Sequence, residues 1–411
     1  MFRQVVLMFM VFLLLSGKGF SQAGSSPYTL FGLGTLVSEG TSRSTGMGGT
    51  GLALLSNTSI TCMNPASYNG IDSLRFIFDF GLYGKYSNYT TTNENQHIFD
   101  AAFRYLMIGF RINRWWAMSA GIIPFSIVDY RISTLATVEG TLTSYQKYFS
   151  GTGGLTRAFV GTSVRPFRNL FLGINVTDLF GSIKHEESAV FADKSLLDFD
   201  VIKTSRVNNL MLNYGLIYSL PLKDWTCNLG MVFSNKRDLT TVNEMTFVSD
   251  IDTIELDASG IEYFVPAKMG LGLMISKNNR FTAGFDYERM LWSGMDFDNP
   301  YLRSRDSERY SFGIEYVKRG KYSDYGYQYF FLRLGGSYHK TYMVINNTPI
   351  DARAITIGAG LPVKRTLSMV DVAFEFGTHG TTQRGLFRDR YAMLHLNLNL
   401  HDIWFQKRKF D

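Results

Sequence analysis

The amino-acid sequence predicts an all-β fold, a transmembrane antiparallel β-barrel. Three observations lead to this expectation. Apolar and polar residues alternate with period two from about residue 72 to residue 400, a secretory signal precedes them, and aromatic residues and glycine are abundant. The 411-residue chain has 33 Phe, 23 Tyr and 39 Gly but 9 Pro. Barrels with aromatic girdles at the membrane interfaces have this kind of composition.

Residues 1–22 have the pattern of a secretory signal peptide. A basic residue, Arg3, precedes an apolar run over residues 5–15, and small and polar residues follow it. The run is too short to span a bilayer with margin, so we expect cleavage near residues 21–23. Secretion and a barrel together predict the outer membrane of a Gram-negative cell.

Residues 71–411 are expected to form the barrel. In the last segment, Leu394 and Leu396 fall on one face, whereas His395 and Asn397 fall on the other. Because successive strand side chains point to opposite faces, such a segment has an apolar and a polar side. A soluble sandwich alternates too, but segments of roughly ten to fifteen residues suit strands tilted across a bilayer. The last strand should pair with residues 74–82, because no open edge can remain in hydrocarbon.

Turn signals divide this region into about twelve to sixteen segments. Two of the signals are the asparagine pairs at residues 278–279 and 346–347. Residues 184–200 and 240–257 are polar and are expected to be long extracellular excursions.

Residues 23–70 do not have the alternation of a strand. They contain Gly-Met-Gly-Gly-Thr-Gly at residues 46–51 and Asn-Pro-Ala-Ser at residues 64–67. The glycine cluster lacks the Lys-Ser/Thr of a phosphate loop. We expect a compact segment that packs inside the lumen, where large side chains do not fit. A flexible tail is the alternative, but the apolar residues 52–55 would serve no purpose in a tail.

At these residues the chain resembles the FadL-type outer-membrane transport family, including its branch of PorV-like secretion proteins. The glycine cluster with Asn-Pro-Ala looks like the N-terminal hatch of the family, and Val265-Pro266-Ala267 and residues 358–362 add to the likeness. The resemblance implies about fourteen strands around a hatch. The hatch positions that carry it are Gly46, Met47, Gly48, Gly49, Gly51, Asn64, Pro65 and Ala66.

The third strand-like segment contains Gly121 and Pro124. Proline in a sheet occurs at an edge or a break. The resemblance implies a lateral gap near a kinked third strand, so we expect these two residues at a lateral-opening kink.

The sequence contains no recognisable catalytic or metal-binding motif. It has no Gly-x-Ser-x-Gly elbow, no His-Glu-x-x-His helix and no metal-ligand spacing among its six histidines. We therefore expect no enzyme activity, no cofactor and no metal. Cys62 and Cys227 are expected to remain free thiols, since one belongs to the hatch and the other to a lipid-facing strand.

Two functions are open at this point. The first is FadL-like passage of hydrophobic small molecules across the outer membrane. The alternative is a non-transporting barrel that acts as scaffold or accessory subunit of a protein-secretion or outer-membrane protein assembly complex. The expected partners are outer-membrane lipid and, depending on the function, a hydrophobic ligand, lipopolysaccharide or other envelope proteins. The spread-out net charge of +6 does not indicate nucleic-acid binding.

Overall fold

The computed structural model describes residues 26–92, 94–138, 140, 143–192, 196–257, 263–295, 301–323, 326–363, 366 and 368–403. The expected signal peptide and the basic residues after residue 403 lie outside this part of the chain. No described helix is long and apolar enough to cross a membrane.

Fourteen long antiparallel strands form a closed wall among the described residues. They are β1 (Arg75–Thr90), β2 (Asn95–Asn113), β3 (Trp116–Thr137), β4 (Ser144–Phe167), β5 (Leu170–Phe191), β6 (Phe199–Leu222), β7 (Trp225–Ser234), β8 (Lys268–Lys277), β9 (Phe281–Met290), β10 (Ser307–Ser323), β11 (Gly326–Ile345), β12 (Thr348–Pro362), β13 (Met369–Gly380) and β14 (Arg388–Ile403). The expected all-β barrel of about fourteen strands is confirmed.

Shorter elements lie inside the wall or between its strands. They are the helix α1 (Ser42–Gly46), the 3₁₀ turns Pro27–Leu30, Pro65–Gly70 and Gln383–Gly385, and the short strands Thr35–Leu36, Arg237–Asp238, Thr241–Ser249, Thr253–Asp257, Phe264–Val265 and Leu302–Ser304.

The barrel closes where the alternation predicts it. Strand β14 pairs with β1 over its whole length, for example Leu396 with Leu82 and Leu400 with Phe78. The faces also agree with the pattern, because Leu396 is 40% exposed and Asn397 is 2% exposed. Apolar residues therefore point to lipid and polar residues point into the lumen.

The asparagine pairs form tight turns. Asn278 and Asn279 have φ angles of 52° and 51°, and Asn346 and Asn347 have φ angles of 49° and 57°. Asparagine tolerates this left-handed conformation better than most residues, which favours it in hairpin turns. Short turns such as 277–281 and 222–225 lie at one end of the barrel, and by the usual rule for such barrels this end is periplasmic.

The expected polar excursions are instead parts of a long sheet. Residues 184–191 continue β5, and Thr241–Ser249 pairs with β6 over Val207 to Phe199. Strands β3 to β6 have 22 to 24 residues, about twice what a bilayer requires. We call the part of this sheet beyond residue 128 of β3 the extension. The polar composition concealed these strands in the sequence. Because the extension stands outside the hydrocarbon, its strands need no lipid-facing apolar side.

Leu396 provides a test of which face of β14 points to lipid. The substitution Leu396→Arg should destabilise the folded barrel by about 2–4 kcal/mol, because it places a charge on the lipid face. Urea unfolding in detergent or lipid vesicles would measure this, with Leu396→Met as the conservative control. A cost below about 1 kcal/mol would contradict the assignment.

The substitution Asn397→Arg cannot serve as a harmless control for Leu396→Arg, although Asn397 points into the polar lumen. Its Oδ1 accepts a hydrogen bond from the Tyr105 hydroxyl at 2.9 Å, and the hatch fills the lumen at this level. Arginine at position 397 would be overpacked, so we expect destabilisation there as well.

Candidate functional site: the plugged lumen and the wall seam

The predicted hatch, described from residue 26 to residue 70, lies inside the barrel. Its side chains are largely buried, and it contacts wall strands on opposite sides of the lumen. Cβ atoms added to Gly313 and Gly335 of β10 and β11 would lie within 2.4 Å of backbone atoms of Met47 and Gly48. A Cβ on Gly173 of β5 would lie 2.3 Å from the carbonyl carbon of Pro65. Wall glycines therefore allow the hatch backbone to approach the wall backbone directly.

The glycine cluster lies against strands β10 to β12. Gly48 has φ +70° and Gly49 has φ +85°. A Cβ on Gly48 would lie 2.5 Å from the backbone nitrogen of Gly336, and one on Gly49 would lie 2.1 Å from Arg309 Nη2. The Gly48 N–H donates to Thr356 Oγ1 at 2.9 Å. Both glycines thus need a left-handed backbone. At Gly48 backbone atoms leave no room for a side chain, whereas at Gly49 the Arg309 guanidinium would have to move.

The other predicted hatch positions contact the wall in different ways. A Cβ on Gly46 would lie 3.0 Å from Arg333 Cδ, the Gly51 N–H donates to Asp286 Oδ2 at 2.6 Å, and Met47 is fully buried. No side chain larger than hydrogen fits at Gly46 without moving Arg333.

The Asn-Pro-Ala segment lies against strands β5 to β7 on the opposite side of the lumen. Asn64 Oδ1 accepts from the Ala66 N–H at 3.0 Å and so begins the 3₁₀ turn. Asn64 Nδ2 donates to Leu52 O at 2.7 Å and to Leu216 O of β6 at 3.1 Å. One amide group therefore joins two parts of the hatch to the wall.

Two buried charge clusters fasten the hatch to the wall. In the first, Arg43 of α1 bonds Glu315 of β10 at 2.5 Å, and Arg333 of β11 bonds the same carboxylate at 2.8 Å. Arg333 also pairs with Asp371 of β13, which accepts a hydrogen bond from Ser42 of the hatch at 2.7 Å. The charges at residues 333 and 371 thus hold the hatch to the wall.

The second cluster centres on Glu39 of the hatch. Its carboxylate pairs with Arg157 of β4 at 2.6 Å and with Lys268 of β8 at 2.9 Å, and Lys268 also bonds Glu288 of β9 at 2.7 Å. Burial alone would raise the pKa of Glu39, but the two cations outweigh burial and hold that pKa below its ordinary value. Glu39 therefore stays charged and ties three parts of the wall to the hatch.

Cys62 lies beside Glu39, with its Sγ 3.7 Å from the Glu39 carbonyl oxygen. Burial, followed by the Glu39 charge, raises the pKa of this thiol to about 12. Cys62 and Cys227 are both free, as expected. With its pKa raised, the half-buried Cys62 thiol is expected to react slowly as long as the hatch remains in place.

The wall has a seam between β2 and β3. These strands pair only from Leu106–Ile122 to Asn113–Trp116. Residues 95–105 of β2 pair only with β1, and beyond Ile122 the edge of β3 bonds to the hatch instead. The Val37 N–H donates to Phe125 O at 2.9 Å, and the Ser26 N–H donates to Asp129 O at 3.1 Å. Residues 26–37 therefore occupy the place of β2 beside β3.

Gly121 and Pro124 lie at the lower end of this seam. Pro124 pairs with Thr156 of β4, and the register shifts at the next residue, Phe125. Because proline has no N–H to donate, its place at the end of the β2–β3 pairing leaves no broken ladder bond. Gly121 still pairs with Met107 of β2 and Phe159 of β4, whereas Pro124 lies beyond the last β2–β3 pair. The role of the two residues in opening the wall remains a prediction.

Sequence reasoning missed three glycines that continue the break. Gly153 and Gly154 of β4 and Gly181 of β5 have φ angles of 107°, 144° and 148°. A Cβ on each would lie within 2.3 Å of a carbonyl oxygen on a neighbouring strand. The run Gly-Thr-Gly-Gly at residues 151–154 was the available signal. These glycines let three adjacent strands bend together where the extension begins.

A cavity of about 250 Å³ lies between the hatch and the wall at the seam. Its lining includes Arg104 of β2 and Ile127 of β3, so it borders both sides of the seam. Most of its remaining polar lining carries charge or imidazole rings: Lys85, Asp100, His339, Glu375, His379 and His395. Within the described residues, no group of three His, Cys, Asp or Glu is placed to hold a metal ion.

The extracellular half of the lumen is filled by apolar side chains. Loop residues such as Trp292 and Phe264 pack with Tyr28 and Leu33 of the hatch and with Tyr342 of the wall. The Trp292 and Tyr342 rings stack at 4.4 Å. This apolar layer covers the charge clusters from the side opposite the short turns.

A barrel plugged by its own N-terminal segment, with a break in its third strand, can be compared with known families. The family model described as BamG matches residues 1–411. The chain belongs to the BamG family. A search of curated proteins finds no match.

Solved structures with the same fold are channels and transporters. The CymD monoaromatic hydrocarbon channel is 16% identical with a TM-score of 0.57, covering 89% of this chain and 98% of that one. The Ralstonia pickettii toluene transporter TbuX is 15% identical with a TM-score of 0.57, covering 88% and 98%. A Pseudomonas aeruginosa FadL homologue is 14% identical with a TM-score of 0.58, covering 93% and 100%. At these identities the likeness concerns the fold, so the chain shares the barrel fold of these FadL-type structures.

Proposed function

We propose that this BamG-family barrel does not conduct solutes but acts as an accessory subunit of an outer-membrane complex that assembles or exports proteins. The observation that carries the proposal is the attachment of the hatch to the wall. Ion pairs and hydrogen bonds hold the hatch to opposite sides of the wall, and an apolar layer packs against it in the extracellular half. With the hatch fixed in this way, the outer surface and the extension are the parts available to bind a partner protein.

The cavity at the seam supports this choice over the passage of hydrophobic molecules. Pockets for apolar ligands are lined mainly by apolar and aromatic side chains with few polar groups. Beside apolar residues such as Leu36, Val37 and Met343, this cavity is lined by charged groups and imidazole rings: Lys85, Asp100, Arg104, Glu375, His339, His379 and His395. An apolar solute would have to remove water from these groups without offering them hydrogen bonds.

The extension offers a surface for a partner protein. Four half-buried aromatic rings, Tyr145, Phe191, Phe199 and Phe247, form a row across four adjacent strands. Their neighbouring ring centroids are 5.1, 6.4 and 5.4 Å apart. Ile254 lies opposite Phe247 on the next strand and is 47% exposed. Apolar rows of this kind outside the membrane mark interaction surfaces more often than chance.

A pull-down from detergent-solubilised membranes tests the proposal. The tagged wild-type barrel should recover envelope proteins in stoichiometric amounts, and the double variant Phe191→Ser/Phe247→Ser should recover at least about tenfold less. The exposed Tyr301 lies on a different loop, so Tyr301→Ser is the matched control. Recovery of no stoichiometric partner by the wild type would contradict the accessory role.

The seam favours a second candidate, FadL-like uptake of hydrophobic small molecules. Such uptake would require residues 26–37 to leave the edge of β3. A disulfide between cysteines at positions 35 and 127, which pair directly, would prevent this movement. With Cys62 and Cys227 replaced by alanine, the oxidised variant should lose uptake of toluene into vesicles if the barrel transports. Under the accessory role, the wild type and the oxidised variant should give the same low background while partner recovery is unchanged.

A further inference from the structure

Four arginines lie at two neighbouring short turns of the wall. Arg111 lies near the end of β2 and Arg114 lies in the β2–β3 turn, whereas Arg165 lies near the end of β4 and Arg168 lies in the β4–β5 turn. The turns are joined directly, because the Arg165 N–H donates to Trp115 O at 2.7 Å. Arg111 and Arg165 are near enough to repel each other electrostatically. We call these four residues the arginine patch.

No described carboxylate forms an ion pair with the arginine patch. Asp72, the acidic residue that acts on Arg111, is itself bonded to Arg75 at 2.9 Å. The hydrogen bonds of Arg111 and Arg165 go to backbone carbonyls, for example from Arg165 Nε to Arg168 O at 2.9 Å. Four clustered cations whose partners are neutral need an anion from outside the chain to offset their repulsion.

Exposed aromatic side chains place the patch at the membrane boundary. Phe167, between Arg165 and Arg168, is 70% exposed, and Trp115, next to Arg114, is 50% exposed. Trp115 stacks on Trp116 with ring centroids 6.0 Å apart. Tryptophan and phenylalanine at a barrel rim lie at the level of lipid headgroups.

We propose that the arginine patch binds the phosphate group of an anionic glycerophospholipid in the leaflet on the short-turn side. Guanidinium groups match phosphate oxygens in a bidentate fashion, and the neighbouring Trp115 and Phe167 contact the glycerol and upper acyl region. Basic clusters at a bilayer surface attract anionic lipids. The site is independent of the lumen and of the seam.

Native mass spectrometry of the full-length barrel tests the site. The wild type is reconstituted into bilayers with equal amounts of phosphatidylglycerol and phosphatidylcholine and is then released from the bilayer for mass measurement. We expect it to retain phosphatidylglycerol about tenfold more often than phosphatidylcholine. The variant Arg114→Gln/Arg168→Gln should lose this preference, since the structure shows no hydrogen bond from either side chain within the described residues. Lys223→Gln/Arg280→Gln, on other short turns, is the matched control and should behave as the wild type.

Competition experiments distinguish a lipid from a free phosphate. Excess inorganic phosphate or glycerol phosphate should not displace the retained lipid if the aromatic contacts contribute to binding. Displacement would identify a site for free phosphate and overturn the lipid assignment. Equal retention of the two lipids by the wild type would also overturn the lipid assignment. So would the same loss of phosphatidylglycerol preference in the control Lys223→Gln/Arg280→Gln. Heat-modifiable gel migration confirms that each variant is folded.

Discussion

Valine at position 48 should release the hatch while the barrel stays folded. Gly48 has φ +70°, and a Cβ there would meet Gly336 N at 2.5 Å and Phe312 O at 2.8 Å. A β-branched residue is strained in this conformation by roughly 1–2 kcal/mol before the backbone clash is added. The wall ladder does not depend on the hatch for its hydrogen bonds at this point, so the strain should be relieved by movement of the hatch.

The thiol of Cys62 reports this movement. Its pKa of about 12 in the buried hatch would return to about 8.5 in water, which raises the thiolate fraction at neutral pH on the order of a thousandfold. In a Cys227→Ala background, Gly48→Val should therefore react with a maleimide far faster than the parent. Heat-modifiable migration on a gel should be unchanged.

Gly294 provides the matched control, because a Cβ there meets nothing within 4 Å and its φ is not in the left-handed region. Gly294→Val should leave Cys62 protected. If Gly48→Val abolishes the folded barrel, the segment is part of the wall and not a plug. If Cys62 stays protected in a folded Gly48→Val barrel, the glycine contact does not hold the hatch.

Removing Arg333 should have the second large effect. Arg333 joins Glu315 and Asp371 in a site where its own side chain is 2% exposed. Arg333→Met keeps much of the side-chain volume but leaves Asp371 without its cation. Breaking a buried pair in this way costs about 3–5 kcal/mol, because an uncompensated charge stays buried.

Urea unfolding of the reconstituted barrel would measure this loss. Adding Asp371→Asn to Arg333→Met should restore part of the stability, since the remaining amide carries no charge. The exposed pair Arg206–Glu244, with side chains 58% and 49% exposed, is the control, and Arg206→Ala should cost less than about 1 kcal/mol. Equal costs for Arg333→Met and Arg206→Ala would contradict a sealing role for the buried cluster.

The hatch motif and the wall charges were visible in the sequence, but their connections were not. Alternation placed Arg333 and Asp371 on the lumen face, and the glycine cluster indicated close backbone contact. The bonds from Arg43 to Glu315 and from Glu39 to Lys268 join residues more than 200 positions apart. Neither Arg43 nor Glu39 lies in an alternating segment, so nothing in the sequence identified them.

The seam was predicted only in part for a similar reason. Pro124 marked a break in the third strand, because proline cannot continue a ladder. That residues 26–37 fill the break follows from the path of the hatch through the lumen, and this path depends on contacts with many strands at once. The bend at Gly153, Gly154 and Gly181 also became visible only when three strands were seen side by side.

The sequence by itself determined the barrel, its lipid and lumen faces, its closing pair β14–β1 and the presence of a compact N-terminal segment. These features depend on period-two alternation, glycine and proline, which act locally. The tertiary structure alone decided that ion pairs hold the hatch to the wall, that the long polar segments form an extension and that four arginines meet at one rim. Each of these depends on which distant side chains become neighbours, and in a closed barrel that is set by strand register and not by local pattern.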